Sequence, residues 1–234
     1  MNFVVHHQCF KNKKATEFAV KSFREFNPSD PYVLWSDDGY DYTDFAKEYN
    51  VDFILSDVNI GAHVYKGKQQ VFEFFDRVRK TCEMYPDKPY VMWMEDDVLV
   101  KGKIDIPEGV DFCGWPDVGN NLIHPHIGVD KFKNLCEKYE VNPNFDYWTA
   151  AGGIMMSSDV FTSKFHILEK YIEEDYENLA RIFTEKLDYD IQFMMAHLVC
   201  GKKYSVWSQI TEMHRNPDWA NQQYAVVHGY KEHY

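Results

Sequence analysis

Three consecutive carboxylates, Glu95, Asp96 and Asp97, directly follow the apolar segment 90–94. Such a segment predicts a buried strand, and charges at its end are costly to bury unless something compensates them. A divalent cation can do so, because Mg²⁺ and Mn²⁺ are typically held by one or two carboxylates together with substrate phosphates. The pattern favours a metal site in which Asp97 binds the ion and Glu95 or Asp96 contacts a ribose or a metal-bound water. A solvated turn after the strand is the alternative.

Other apolar segments also end in polar residues. The first reaches His6 and His7, and segment 32–35 runs into Asp37 and Asp38. Ligands of open α/β sheets bind at the carboxyl ends of the strands, so these residues are candidate ligand contacts, with His6 chosen from the first segment. An ordinary β-turn at Asp38 is the alternative for the second segment.

Two smaller features could also contact a ligand. Gly152 and Gly153 lie within an apolar segment, and because glycine has no Cβ atom a ligand can approach the backbone closely there. A strand bulge or close packing explains the pair nearly as well. Lys68, at the start of a predicted helix, is a candidate phosphate contact, although a basic helical face is usually just solvated.

The elements that would position these residues follow from periodicity. Short apolar segments rich in β-formers alternate with amphipathic stretches in the first hundred residues, which is typical of βα units and a largely parallel sheet. The second half is less regular. The sequence predicts strands at 3–7, 32–35, 53–55, 90–94, 110–114 and 225–228, and helices at 16–26, 69–84, 131–139, 158–171 and 190–198.

The acidic segments resemble motifs of the GT-A glycosyltransferases. The strand that runs into Glu-Asp-Asp looks like their DXD region, in the variant of the N-acetylglucosaminyltransferase I type, and this implies Asp97 as the metal ligand, with Glu95 beside it. The sequence WSDDG at 35–39 resembles the strand-end Asp-Asp-Gly of many inverting members. That resemblance implies that Asp37 or Asp38 contacts the nucleotide base or ribose.

Two later segments resemble the sugar-binding and acceptor side of the same enzymes. AAGGIMMSSDVF at 150–161 looks like the small-residue segment that passes beneath the donor sugar and the acceptor. LDYDIQF at 187–193 is similar to a segment of glycogenin-like and galactomannan-type transferases, although Tyr189 stands where glutamine is usual. It implies Asp190 as the acceptor-side carboxylate, with Asp188 as second choice, and in an inverting enzyme this residue would be the general base. A helix N-cap and a first-turn charge are the alternatives for these two aspartates.

The C-terminal segment AVVHGYK, residues 225–231, resembles the part of those transferases whose histidine completes the metal site. His228 would be that ligand, with His214 as a rival. An imidazole beside two carboxylates and a diphosphate suits Mn²⁺ better than Mg²⁺. The motifs follow the family's order over nearly the whole chain.

The resemblance implies an α/β fold: a GT-A-like, Rossmann-related, mixed and mainly parallel sheet flanked by helices. We expect a single domain over 1–234, with a nucleotide-binding half at 1–100 and an acceptor-binding half at 101–234. The implied cofactor is Mn²⁺ (or Mg²⁺), the donor a nucleotide-diphosphate sugar, with a UDP-sugar favoured, and the acceptor a glycan or glycoprotein. The resemblances divide between inverting and retaining groups, so the stereochemistry stays open.

Composition limits the other functions. The net charge is −12, which argues against a nucleic-acid groove, because such a groove needs clustered Lys and Arg. The five cysteines are odd in number and form no CxxC pair, so we expect reduced thiols. No apolar segment approaches the length of a membrane span. We therefore expect a soluble protein of the cytoplasm, bacterial or in a virus-infected cell, and the small enzymes of large DNA viruses are one such type.

Two alternatives come from different functional classes. A metal-dependent phosphoesterase could use the same carboxylates and histidines to activate water, but it would need a second metal cluster with suitable spacing. A non-catalytic carbohydrate-binding module could use the abundant aromatic residues, which are 17% of the chain. Such a module has no use for the acidic triplet.

Overall fold

The apolar segments of the first half lie side by side as parallel strands. The computed structural model describes residues 2–60, 67–117, 129–141, 148–175, 189–213 and 216–230. The strands are β1 (Phe3–Cys9), β2 (Tyr32–Asp37), β3 (Asp52–Ser56), β4 (Tyr90–Met94), β5 (Leu99–Val100), β6 (Phe112–Asp117), β7 (Trp148–Ser157), β8 (Tyr204–Val206), β9 (Ile210–Glu212) and β10 (Val226–His228). The helices are α1 (Lys13–Phe26), α2 (Thr43–Glu48), α3 (Lys68–Met84), α4 (Val129–Lys138), α5 (Ser158–Phe161), α6 (Phe165–Glu174) and α7 (Tyr189–Val199).

Two sheets are present in the described residues. The larger has the order β3-β2-β1-β4-β7-β6-β8, with β7 antiparallel to both neighbours and the other pairs parallel. The smaller has the order β5-β10-β9. The strand order reverses between β1 and β4, and this is the point at which an open α/β sheet forms a ligand-binding crevice. This mainly parallel sheet flanked by helices confirms the predicted fold class.

Strand residues alternate between two hydrophobic layers. On β4, Trp93 packs with Phe74 of α3 and Phe193 of α7, with ring centroids 5.2 and 5.1 Å from its own. Its neighbours Met92 and Met94 belong to the other layer, on the side of α1. Because successive strand side chains point to opposite faces, β4 is buried on both sides and its carboxyl end is rigidly placed.

The second half differs most from the expected elements. The segment around Gly152 and Gly153 forms β7, a ten-residue strand that the sequence does not predict. Pairing with β4 on one side and β6 on the other overrides the weak strand preference of Ala and Gly. The helix predicted at 158–171 is two helices, α5 and α6, because the chain turns at 162–164. No helix among the described residues combines the length and apolar character needed to cross a bilayer.

Burial lowers the pKa of one core histidine far below its usual range. His197 of α7 is 1% exposed, and its Nδ1 donates a hydrogen bond to the Phe193 carbonyl at 2.8 Å. Its ring packs against Phe112 and Phe161. The lost hydration of the charged form lowers the pKa of His197 to about 4. The folded protein therefore keeps this ring neutral at pH values where the unfolded chain would protonate it.

Acidification is expected to destabilise the fold through His197. The contribution of the neutral His197 ring to the free energy of unfolding is complete above the pKa of about 6.5 that the ring has in the unfolded chain. This contribution is lost as the pH falls towards the pKa of the folded state, and the total loss is about 3 kcal/mol. Urea unfolding of wild type and His197→Gln at pH 7 and pH 4.5 measures it. The variant should lose less stability between these two values, and an equal loss in both proteins would contradict the assignment.

Candidate functional site

The acidic triplet begins where β4 leaves the sheet. The chain turns directly after Met94, and the Val98 amide donates to the Glu95 carbonyl at 3.2 Å. This turn leads into β5, so the triplet joins the larger sheet to the smaller one. Asp97 is 2% exposed, whereas the side chain of Glu95 is 31% exposed. A buried carboxylate at the carboxyl end of a central strand is therefore a feature of the fold.

His228 reaches the same place from the other sheet. Its Nε2 lies 3.2 Å from Oε2 of Glu95 and 3.4 Å from Oδ1 of Asp97. The Tyr230 amide donates to the Asp97 carbonyl at 2.9 Å, which holds the segment after β10 against the turn. Glu95, Asp97 and His228 each offer one ligand atom, and these atoms lie within 4.8 Å of one another. The structure thus brings together the three residues that the sequence selected as metal ligands.

The carboxylates control the charge of the imidazole. Burial by itself lowers the pKa of His228, but Asp97, Glu212 and Glu95 all raise it, and the net pKa lies well above the usual value. The positive ring balances part of the negative charge around it. A bound cation would take over this compensation, since a metal ligand must present a neutral imidazole nitrogen.

The donor set fits a divalent cation. Two carboxylate oxygens and one imidazole nitrogen are suitable ligands for Mn²⁺, which accepts nitrogen more readily than Mg²⁺. In the described side chains, Glu95, Asp97 and His228 are the one group of three His, Cys, Asp or Glu residues with this spacing. A phosphoesterase with two metal clusters would need a second such group.

Gly152 provides space for this group. A Cβ atom at position 152 would lie 2.9 Å from Cδ2 of His228 and 3.2 Å from Cβ of Glu95. Gly153 has φ +97°, and a Cβ atom there would lie 2.7 Å from Cγ1 of Val226. The two glycines therefore let β7 pack closely against β10. In this structure, protein side chains approach the backbone of the two glycines closely. This agrees with close packing, the alternative explanation of the glycine pair.

A bulge in β7 accompanies the glycine pair. Cys113 of β6 pairs with Met155 of β7, and Trp115 of β6 pairs with Ala150 of β7. The same stretch of the ladder therefore takes two residue steps along β6 but five along β7. The extra residues of β7 include both glycines. Bulges re-aim side chains next to active sites, and this one brings β7 up to the metal-ligand candidates.

Asp96 points to a different set of partners. Its Oδ1 accepts hydrogen bonds from Nε2 of His7 at 3.1 Å and from the Thr16 hydroxyl at 2.7 Å. The Tyr32 hydroxyl in turn donates to Nδ1 of His7 at 2.7 Å. These contacts fix Asp96 against β1 and α1. The expected contact of Asp96 with a ribose or a metal-bound water stays a prediction. The exposed part of the side chain, 23%, is what could make this contact.

Trp93 is a site residue that the sequence analysis did not single out. Its indole Nε1 donates to Oε1 of Glu95 at 3.1 Å, so that Oε2 faces His228. Trp93 itself is 1% exposed and held by the core. The signal was present in the sequence: a tryptophan two residues before Glu95 points to the same face of the strand.

The two aspartates after β2 have different environments. Asp37 is 1% exposed and forms an ion pair with Arg77, and it accepts hydrogen bonds from Gln8 at 2.7 Å and from the Ile60 amide at 3.2 Å. Burial raises the pKa of Asp37, and Arg77 counters part of that shift. Asp38 is exposed and adopts φ +47°. Of the two, Asp38 is the side chain open to a nucleotide in this conformation.

His6 and Lys68 do not belong to the group of metal-ligand candidates. His6 is completely buried, stacks on Trp93 and pairs its Nδ1 with the Thr81 hydroxyl at 2.8 Å. In this conformation the ring has no surface for a ligand, because it belongs to the layer beneath α3. Lys68 begins α3 and donates to the carbonyl of Glu173, which satisfies the end of α6. A phosphate contact by Lys68 stays a prediction.

The acceptor-side candidates lie only partly within the described residues. Asp188 and the rival histidine His214 lie outside the described residues. Asp190 is the second residue of α7, and its side chain also lies outside what the structure describes. Phe193, three residues later, contacts Trp93 at the carboxyl end of β4. His197 contacts Phe112, near the opposite end of the sheet, so α7 begins at the edge that carries the triplet.

The fold of the chain resembles that of solved structures. No protein-family model matches it, and no curated protein matches it significantly. The galactosyltransferase LgtC, solved in complex with donor and acceptor sugar analogs, gives a TM-score of 0.56 at 16% identity, covering 97% of this chain and 86% of that chain. A glycosyltransferase involved in the glycosylation of the major capsid of PBCV-1 gives a TM-score of 0.50 at 10% identity, with coverages of 98% and 93%. The chain therefore has the fold of the GT-A glycosyltransferases.

Proposed function

We propose that this protein is a metal-dependent glycosyltransferase that transfers a sugar from a nucleotide-diphosphate sugar, with a UDP-sugar favoured, to a glycan or glycoprotein. One observation carries the proposal. Glu95, Asp97 and His228 converge at the carboxyl end of β4, beside the reversal of strand order in a GT-A fold. This is the edge at which α/β sheets bind their ligands.

Each ligand candidate has a separate task in this proposal. Asp97 and Glu95 supply oxygen ligands and His228 supplies a nitrogen ligand to Mn²⁺ or Mg²⁺. The cation, when bound, would neutralise the diphosphate as it leaves the sugar. Trp93 holds Glu95 in place through the bond to Oε1, so the site is organised before any donor arrives.

The remaining roles concern the nucleotide and the acceptor. Asp38, which is exposed after β2, would contact the base or ribose, and Asp96 keeps an exposed part on the same edge. Asp190, or Asp188 as second choice, would take the proton of the acceptor hydroxyl as the new glycosidic bond forms. The donor and acceptor sugar analogs bound to LgtC, and the involvement of the second similar structure in glycosylation of the major capsid of PBCV-1, support a sugar donor and a glycan or glycoprotein acceptor.

Binding of UDP is expected to require a divalent ion. The chain carries a net charge of −12, and three carboxylates stand where the diphosphate would lie, so an unscreened diphosphate is repelled. Calorimetry should give a UDP affinity at least about tenfold weaker in EDTA than in Mn²⁺. Uridine is the control ligand, because without phosphates it should bind with the same affinity in both buffers. Equal UDP affinity in EDTA and Mn²⁺ would refute the metal-bridged donor site.

A further inference from the structure

Glu212 lies beside His228 in the smaller sheet. β9 and β10 are parallel, and their register places Glu212 directly opposite His228. Oε2 of Glu212 accepts a hydrogen bond from Nδ1 of His228. The side chains of Glu212 and His228 are 14% and 16% exposed, so this bond is largely protected from water.

The imidazole has two nitrogens, and Glu212 occupies one of them. Because Nδ1 is bound to Glu212, the other nitrogen, Nε2, is directed towards Glu95 and Asp97. Rotating the ring by half a turn would exchange the positions of its atoms and break this bond. A hydrogen bond to the second nitrogen is the usual way in which proteins fix the orientation of a metal-binding histidine.

The backbone around Glu212 is also fixed. Thr211 is 1% exposed and its hydroxyl accepts a bond from the Asn216 side chain at 3.1 Å. The Asn216 amide donates to the Glu212 carbonyl at 3.0 Å. On another edge of the His228 ring, Gly152 packs close to Cδ2. The ring is thus confined between a carboxylate acceptor and a glycine.

We propose that Glu212 is a positioning residue, which holds the His228 ring so that Nε2 faces the metal position formed with Glu95 and Asp97. This inference rests on the proposed metal-dependent function. Glu212 itself does not belong to the group of three ligand atoms. Its effect on a cation would therefore pass through His228, by removing the freedom of the ring before the ion binds.

Three substitutions separate the effect of the side-chain length of Glu212 from the effect of its charge. Glu212→Gln keeps an oxygen at the same distance but removes the charge. Glu212→Asp keeps the charge but is one methylene shorter, and Glu212→Ala removes both. If positioning is the role, Mn²⁺ affinity should weaken about 10–100-fold in the Asp and Ala variants and stay closest to wild type in the Gln variant.

Electron paramagnetic resonance of free Mn²⁺ gives these affinities without any enzymatic assay. Glu169→Ala is the matched control, since it removes the same charge from an exposed site on α6 and should leave the affinity unchanged. Melting temperatures in EDTA identify folded variants, and the Gln and Asp variants decide the question even if the Ala variant does not fold.

The outcomes distinguish the two proposals. Wild-type affinity in the Asp and Ala variants, or a Gln variant weaker than the Asp variant, would overturn the role of Glu212 and leave the metal site standing. A wild-type protein that does not bind Mn²⁺ would overturn the metal-dependent function, and the role of Glu212 with it. The order wild type, Gln, then Asp and Ala supports both.

Discussion

Replacing Asp97 by asparagine is expected to lower sugar transfer by roughly 10²–10³-fold, which corresponds to about 3–4 kcal/mol of lost transition-state stabilisation. Asparagine has nearly the size of aspartate, so the 2% exposed position stays filled. The change removes the charge that would face a cation together with Glu95 and the imidazole of His228. Charge that develops on the leaving diphosphate would then be poorly neutralised.

Turnover, Mn²⁺ affinity and melting temperature should be measured together on Asp97→Asn. Asp105→Asn is the matched control, because it makes the same chemical change at an exposed position. The control should transfer sugar at the wild-type rate, and both variants should melt within a few degrees of wild type. An Asp97→Asn enzyme with wild-type turnover and wild-type Mn²⁺ affinity would remove Asp97 from the metal ligands.

Replacing Asp190 by asparagine should reduce turnover by about 10²–10⁴-fold, the usual contribution of a general base, with donor affinity nearly unchanged. The reason is the position of α7. Asp190 precedes Phe193 by about one turn, and Phe193 contacts Trp93, which donates to Glu95. The first turn of α7 therefore begins beside the acidic strand end, which is compatible with the acceptor-side role proposed for Asp190.

Asp188→Asn provides the comparison, and turnover and donor affinity should be measured for both variants. A large loss in the Asp188 variant with near-normal turnover in the Asp190 variant would reverse the assignment. Near-normal turnover in both would place the base elsewhere. In a retaining enzyme Asp190 would only orient the sugar, and the loss in turnover would be smaller than this range.

Short-range periodicity was sufficient for β4, whose end carries the acidic triplet, and for the helix α3 before it. The sequence predicts the strand at 90–94 with the bounds it has in the structure, and the helix before it differs by one residue at its start. A run of apolar residues buried on both faces identifies a central strand without knowledge of its partners. The position of the triplet at a strand end followed directly from this prediction.

The features that the sequence analysis missed depend on contacts between residues that are far apart in the sequence. The segment with Gly152 and Gly153 becomes a strand because β4 and β6 pair with it, and even the nearer of the two, β6, is separated from it along the chain by α4. Asp37 forms an ion pair with Arg77, which is 40 residues later in the sequence, and no local sequence pattern links the two residues. The Glu212 partner of His228 lies at the end of a three-residue strand, which is too short to show periodicity.

The histidine of the candidate metal site is far along the chain from its two carboxylates, and this has a consequence for biosynthesis. Glu95 and His228 are separated by 133 residues. At about 5–20 residues per second, a ribosome needs roughly 7–27 s to travel from one to the other. During that time β1 to β4 can already pair, while the carboxylates lack the imidazole that balances them. A nascent chain halted before β10 would therefore present an acidic strand end without His228, and only a chain that includes β10 would offer all three ligand candidates of the proposed metal site.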